Sequence, residues 1–514
     1  MLVDARTLPH NHTIQADICI VGAGAAGITL ACDLIGSAKT VAVLEGGDLA
    51  ISSESQSVYQ GEVVGHAFTP LDRDRLRFLG GTTNHWSGSC RPFQSSDLEA
   101  WPFGTEVMDA HYRRAQTVCQ LGPHSYDPQD WKSAEAVPID FPAGARLRSG
   151  VFQYSPPTRF GSVYRDQLTS AHNVTVYLNA NVIDIETHEG SNEVTGLKVA
   201  CFSGTRMRAR ARQYVLGAGG IETPRLLLNA NQVRSAGLGN ENDLVGRYFM
   251  DHPLVPGAAT ILADASRLEW PFYDHHLVGQ HLIEGYFCAT DEVQRKEGLP
   301  PFSIGLRSAA AAAAIFNDYE LPESLRKRLS TDTANNLAFY VSRLITRAQS
   351  SWDWMYNQLW RAPPGQYLTF YSCGPDPNPD SRVTLSDTVD VLGMRRVKLD
   401  WRLPPDFEAK MRRAHELLAQ ELGGMGLARV RLESSATGFD PMQELAHGHH
   451  HMGTLRMQID PRQGVVDENC RVHSLANLFI AGSAVFPSYA CDDPTMTIVA
   501  LSLRLSDHLK SLVG

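Results

Sequence analysis

The chain has 514 residues, 43% hydrophobic and 20% charged, with a net charge of −10 and no Lys/Arg stripe, which leaves room for two or three packed units and excludes nucleic acid and anionic membrane surfaces as partners. Nine scattered cysteines without a C-x-x-C point to reduced thiols, and exclude a disulfide framework or a zinc ribbon. There is no basic–apolar leader and no uncharged apolar run of about 18 residues, so the expectation is a cytoplasmic protein with no integral membrane segment.

In chain order, the first strong signal is "ADICIVGAGAAGITLACDLIGSAKTVAVLEGG", residues 16–47. Ile18 to Val21 predicts a buried parallel strand, Ile28 to Ile35 a helix ended by Gly36, and Thr40 to Leu44 a second strand. Between the first strand and the helix stand Gly22, Gly24 and Gly27. In a dinucleotide-binding turn the first glycine allows a tight bend, the second a close approach to pyrophosphate, and the third helix–strand packing. Ala25 and Ala26 are counted with the cofactor-binding residues, and the free N–H groups at the helix start face the phosphates. Glu45, followed by Gly46, closes the second strand, where a carboxylate accepts from ribose hydroxyls. The pattern alone fits NAD and FAD equally.

Next comes "LGGTTNHWSGSCRPF", residues 79–93. Gly80, Gly81, Thr82 and Asn84 predict a turn rich in donors, suited to a pyrophosphate or a ring edge. In "YVLGAGGIETPRLLL", residues 214–228, a strand runs into Gly217 and Ala218, and a helix is expected from about Thr223–Pro224. Strands are expected in "QYLTFYSC", "SRVTLSD" and "RRVKLDWRL", and helices in residues 307–318 and 323–360. Near the C-terminus, Leu478 to Ile480 predicts a strand, Gly482 to Pro487 a turn with Ser483 in it, and Thr495 to Leu509 a long helix entered through Pro494 and carrying Met496 on its apolar face. Before it, "AHGHHHMGTLRM", residues 446–457, holds four histidines in five positions.

These segments, in this order and over residues 16–509, resemble the glucose–methanol–choline (GMC) family of FAD-dependent oxidoreductases, with some likeness to its pyranose and glycoside oxidase branch. The resemblance implies an α/β fold, α+β overall. It comprises a Rossmann-like FAD domain, expected over 14–105, 175–255 and 445–514, and a substrate domain of antiparallel sheet and helices, expected over 106–174 and 256–444. It implies FAD as the cofactor, held by the residues named above together with Val182. The reaction is then oxidation of an alcohol to a carbonyl, with hydride passing from the carbinol carbon to flavin N5 and oxygen or a quinone-type compound as acceptor.

The family stretch H-P-M-G-T-C-R-M aligns its first histidine with His450, which becomes the expected base; imidazole titrates near neutrality and suits removal of a hydroxyl proton. His451 stands at the usual proline and Leu455 at a common cysteine. His447, His449 and His451 alternate, with no acid pair nearby in sequence, and read as supporting or solvent residues, not as a metal site. Asp493 departs from the family, which commonly has His or Asn there. Beside His450 a carboxylate is expected to raise the imidazole pKa and orient its tautomer; it also suits a helix N-cap. Asp492 or Asp493 is a further candidate for recognising a cationic or polyhydroxylated substrate. His85 resembles the flavin-linked histidine of pyranose oxidases, which makes it a candidate for covalent attachment of FAD. The expected substrate is a sugar or another polyhydroxylated alcohol. A hydrophobic sterol-like or aryl alcohol is the alternative, as is a non-redox lyase or decarboxylase on the same scaffold.

Overall fold

A computed structural model describes residues 1–263, 267–308, 366–432, 442 and 445–512. The helices expected in 307–318 and 323–360 lie outside these residues, apart from Arg307 and Ser308, which end the strand Phe302–Ser308.

Six strands form a wholly parallel sheet in the order Leu2–Asp4, Val174–Leu178, Val41–Leu44, Ile18–Val21, Gln213–Leu216 and Leu478–Ile480. Ile18–Val21 and Val41–Leu44 are buried at every position, as continuous apolar runs must be when helices cover both faces. The chain leaves Ile18–Val21 toward one neighbour and returns later as Gln213–Leu216 on its other side. The carboxyl ends of these strands therefore flank a switch point, where open α/β sheets bind ligands.

The first helix spans Ala25–Asp33, beginning three residues before the expected start because Gly24 serves as its N-cap. Gly27 has a packing role: a Cβ there would lie 1.9 Å from the Gly22 carbonyl oxygen. The helix after Gln213–Leu216 is a larger correction. It runs Gly219–Asn229 and contains Pro224 in its interior, not in its first turn. Proline cannot donate to the carbonyl four residues back. That carbonyl, of Gly220, instead accepts from the Thr454 hydroxyl at 2.6 Å, so a residue of the histidine-bearing segment stabilises the helix.

A second, nine-stranded sheet has the main order Ala428–Leu432, Pro253–Leu262, Gln366–Cys373, Phe302–Ser308, His281–Ala289, Leu147–Tyr154 and Ser89–Cys90, every pairing antiparallel. Arg382–Val389 and Arg395–Trp401 form the expected strands, yet they belong to a separate three-stranded sheet, in which Arg395–Trp401 lies between Arg382–Val389 and Gly61–Gly65. Gly61–Gly65 and Ser89–Cys90 thus leave the 14–105 segment to join strands elsewhere. Arg225, on the proline-bearing helix, ties this small sheet down: it is 1% exposed and bonds Glu222 at 3.0 Å, Asp390 at 2.5 Å and the Arg395 carbonyl at 2.8 Å. All nine cysteines are free, and no helix among the described residues is long and apolar enough to cross a membrane.

Replacing Thr454 by valine leaves the Gly220 carbonyl buried without its partner. The expected loss is about 1–3 kcal/mol, read as a lower urea midpoint; an unchanged midpoint would remove the proposed link between hydroxyl and helix.

Candidate functional site

Four turns converge at the carboxyl end of the parallel sheet. Gly22 adopts φ +97°, and a Cβ on it would meet the Gly217 carbonyl oxygen at 2.7 Å, so only glycine lets the two turns pack. Gly81 lies against Gly24, its ideal Cβ 3.2 Å from the Gly24 Cα, while the Gly80 amide donates to the Ala23 carbonyl at 2.8 Å. Gly482, at φ +113°, sits beside Ala26. Ala218 caps the Gly219–Asn229 helix without a side-chain bond. Gly24 is different from these packing glycines: its Cβ direction is open, with nothing within 4 Å, and it starts a helix with no side-chain cap.

Glu45 accepts from the Ala23 amide at 2.9 Å through one oxygen and from the Gly47 amide at 2.8 Å through the other, keeping lone pairs for a hydroxyl donor. Gly46 packs under the Arg77 guanidinium. The Ala180 amide donates to the Glu45 carbonyl, which brings Val182, on the strand Asn181–Thr187, to the same edge. An open glycine, an uncapped helix start and a fixed acid fit the pyrophosphate and ribose of a dinucleotide.

Thr82 and Asn84 lie within the turn Gly81–Asn84. The Thr82 hydroxyl accepts from the Leu76 amide at 3.4 Å, and the Asn84 amide donates to the carbonyls of Leu79 and Gly81 at 2.9 and 3.0 Å, so both brace the turn. His85 comes directly after it, its amide bonded to the Thr82 carbonyl. The Ser483 hydroxyl donates to the His451 carbonyl at 2.6 Å. Pro494 and Thr495 open the helix Thr495–Leu512, on which Met496 is buried against the Tyr126 hydroxyl at 3.5 Å.

His450 lies beside this region, its side chain 21% exposed and its ring facing Asp493, the residue before Pro494. Its ring belongs to a hydrogen-bonded chain. His252 Nε2 is 2.7 Å from the Ala490 carbonyl, and His252 Nδ1 is 2.8 Å from His450 Nδ1. A carbonyl only accepts, so His252 carries its proton on Nε2. Burial above all, with the neighbouring His450 adding, drives the His252 pKa down to about 4, so the ring is neutral and its Nδ1 is an acceptor. His450 must then carry its own proton on Nδ1. Burial likewise drives His450 down to about 4, against the opposing charge of Asp251. It is a neutral imidazole with a bare Nε2.

Asp493 faces that bare nitrogen, with Oδ1 3.6 Å from His450 Nε2 and Ser87 Oγ donating to Oδ2 at 3.3 Å. The Asp493 carboxyl is pushed up to about 6, by burial first, with the charge of Glu284 adding and His252 and Ser87 opposing. Two expectations are corrected here. The His450 pKa falls, because desolvation outweighs any nearby carboxylate, and its tautomer is set at Nδ1 by His252, since Asp493 touches the other nitrogen. Asp492 is also corrected as a candidate for substrate recognition: its side chain is 0% exposed and paired with Arg91 at 2.6 Å. Arg91 also holds Asp97 at 3.2 Å and the Tyr286 hydroxyl, which anchors the loop carrying Ala490 and Asp493.

The other three histidines do have acids, brought from far along the chain. His449 Nδ1 bonds Asp74 Oδ1, His451 Nε2 abuts Asp74 Oδ2, and His447 Nδ1 is 3.1 Å from Asp251 Oδ2. Asp74, His447 and His449 bring ligand-type atoms within 4.8 Å of one another, a spacing a metal could use. The His447 ring is otherwise engaged: the Thr69 amide, which only donates, points at Nε2 at 3.1 Å, so the proton is on Nδ1 and given to Asp251. Asp251 also accepts from the His450 amide at 2.9 Å. Its carboxyl is held near 2, because the hydrogen bond from His447 and the surrounding histidines overcome its burial. Asp74, Asp251 and His252 were missed in the sequence. The dipeptide Asp251–His252 before Pro253 was a weak signal at a strand entry; nothing marked Asp74.

Two glycines separate packing from ligand approach. Gly24→Val is expected to fold with an unchanged melting temperature but to purify colourless, whereas Gly27→Val is expected to lose stability outright. A yellow Gly24→Val protein would contradict the assignment of that turn to a dinucleotide.

Comparison with known proteins agrees with this geometry. Residues 17–238 match the family model described as FAD dependent oxidoreductase, and residues 377–502 match GMC oxidoreductase. The chain is 22% identical to the fructose dehydrogenase large subunit of Gluconobacter japonicus, over 97% of this chain and 98% of that one. It is 24% identical to paromamine 6'-oxidase of Streptomyces fradiae, over 95% and 90%. Among solved structures it resembles pyridoxine 4-oxidase from Mesorbium loti, with TM-score 0.60 and 17% identity over 96% and 98% of the chains, and formate oxidase, with TM-score 0.60 and 14% identity over 98% and 99%. The FAD-type turn at Gly22–Gly27 and the GMC-type C-terminal segment thus lie on one fold, and the chain is an FAD-dependent oxidoreductase with a GMC oxidoreductase domain toward its C-terminus.

Proposed function

We propose that the protein oxidises a hydroxyl group of a sugar or another polyhydroxylated small molecule, with His450 as the base. The observation that carries this reading is the His252–His450 contact, 2.8 Å between the two Nδ1 atoms with His252 Nε2 on the Ala490 carbonyl, which leaves His450 Nε2 facing Asp493. Bound FAD supplies the hydride acceptor. Gly22, Gly24, Ala25, Ala26, Gly27, Glu45 and Gly46 hold its dinucleotide end. The turns at Gly80–His85, Gly217–Ala218 and Gly482–Ser483, with Val182 and the helix start at Pro494–Met496, complete the cradle. The domain division of 14–105, 175–255 and 445–514 against 106–174 and 256–444 is part of the same proposal.

The chain's own chemistry is a proton transfer. His450 Nε2 takes the hydroxyl proton, and the ring becomes an imidazolium whose Nδ1–H stays bonded to His252. Asp493, 3.6 Å from Nε2, offsets the new positive charge when ionised. The sugar-like substrate is supported by relatives named for fructose, paromamine and C-glycoside oxidation. Polar groups beside Asp493 also support it: Tyr154 donates to Glu284 at 2.5 Å, and His275 sits 3.1 Å from the same carboxylate. Oxygen or a quinone-type compound takes the electrons afterwards, and buried free thiols fit a cytoplasmic setting. Covalent attachment through His85 is a separate reading carried by its place after the Gly80–Gly81 turn; acid precipitation decides it, since yellow colour left wholly in solution removes the bond.

An anaerobic screen of sugars, sterol-like alcohols and aryl alcohols tests the main reading. Sugars are expected to bleach the yellow flavin; bleaching by the hydrophobic alcohols alone would overturn the substrate class, and no bleaching by any alcohol would favour a lyase. His450→Gln is expected to slow bleaching by about 10²- to 10⁴-fold. The pH profile carries a further expectation. His450 has a depressed pKa, so the base is free above about pH 4. Asp493 ionises as pH rises through about 6 and favours the imidazolium. The rate should therefore rise through pH 6, and Asp493→Asn should abolish that step while keeping the limb near 4. A profile identical to wild type would exclude an active-site role for Asp493.

A further inference from the structure

We infer that Asp74 is a positioning residue for the base: one buried carboxylate pins the residues on both sides of His450 and ties them to the turn that approaches the dinucleotide. The inference rests on the reading of His450 as base.

The segment 449–451 alternates. His450 points to His252 and Asp493, while His449 and His451 point to the opposite side and converge on Asp74. Asp74 is 0% exposed on its side chain. Its carboxyl is held well below the usual range, because His451 and His449 outweigh the effect of burial. The His449 imidazole is displaced upward: burial opposes its charged form, and the Asp74 hydrogen bond and charge prevail. An ion pair therefore sits directly behind the base. It holds a costly backbone, since His449 has φ +59°, a left-handed conformation that residues with a Cβ adopt at a penalty.

Asp74 ends the short helix Leu71–Asp74, and the residues after it are also tied down. Arg75 Nη1 bonds Glu222 at 3.1 Å in a buried pair, and the chain then reaches Gly80 and Gly81, which abut Ala23 and Gly24. One short stretch, 74–81, thus touches the base-bearing loop at one end and the dinucleotide turn at the other. From the far side, Ser483 holds the His451 carbonyl at 2.6 Å. His451 stands where the family pattern has proline, and its contact with Asp74 supplies the rigidity a ring would have supplied. A misplacement of about 1 Å costs up to about 10²-fold in rate, so the strap matters to chemistry more than to binding.

The test is the limiting rate of anaerobic flavin reduction at saturating substrate, in holoenzyme checked for FAD content and melting temperature. Asp74→Asn keeps shape but cannot pair with an imidazolium. It is expected to lower that rate by about 10- to 100-fold with FAD content and the half-saturating substrate concentration unchanged. His449→Gln combined with His451→Gln should give a similar loss, and adding Asp74→Asn to that pair should cost nothing more. A wild-type rate in Asp74→Asn, a loss that only tracks missing FAD, or losses that multiply across the combined variants would each overturn the inference. If Asp74→Asn fails to fold, His449→Gln alone decides in the same assay, a wild-type rate overturning it. His450→Gln run in parallel keeps the two readings apart: full activity there removes the base, whereas full activity in Asp74→Asn alone removes only the strap.

Discussion

One hydrogen decides what this site can do, the one on Nδ1 of His450. Its place results from a chain that starts at a backbone carbonyl. Ala490 can only accept, so His252 must donate from Nε2, receive at Nδ1, and force His450 to present an unprotonated Nε2. Every other element of the site either maintains that chain or gives it something to act on. The Arg91–Asp492–Asp97 cluster fixes the loop that carries Ala490. Asp251 holds the His450 amide, and the antiparallel sheet delivers His252 at the start of Pro253–Leu262.

Burial makes the device work. A histidine in water is half-charged near neutrality and has no preferred tautomer strong enough to count on. Here desolvation lowers both His252 and His450 to about 4, which removes the second proton and with it the ambiguity. The same burial would be ruinous for isolated charges. Asp251, Asp74 and Asp492 are each 0% exposed on the side chain, and each is met by a histidine or an arginine. The Asp492 carboxyl is nonetheless raised to about 7 and that of Asp493 to about 6, with burial the leading cause in both, which leaves beside His450 Nε2 a group, Asp493, that is neutral or charged according to pH.

Much of the scaffold was legible in the sequence. Ile18–Val21 and Leu478–Ile480 appear with the bounds their apolar runs suggested, because strands buried on both faces write themselves as continuous hydrophobic stretches. The cofactor turn was legible because Gly22 takes a positive φ and Gly27 has no room for a Cβ, and His450 because a local motif marks it. The helix around Pro224 was misplaced because the group that rescues its interior proline, the Thr454 hydroxyl, lies 230 residues away in the chain. The partners of the four histidines were invisible for the same reason. Asp74, Asp251 and His252 approach only through the fold, so the four histidines form one framed loop, with His450 as its proposed base.

The central claim is tested most directly by selective ¹⁵N-histidine NMR on the holoenzyme, with His450 assigned by comparison with His450→Gln. At pH 6 the account expects a neutral His450 ring whose Nδ1 bears the proton and whose Nε2 has the shift of an unprotonated nitrogen. A proton on Nε2, or an imidazolium at that pH, would contradict it.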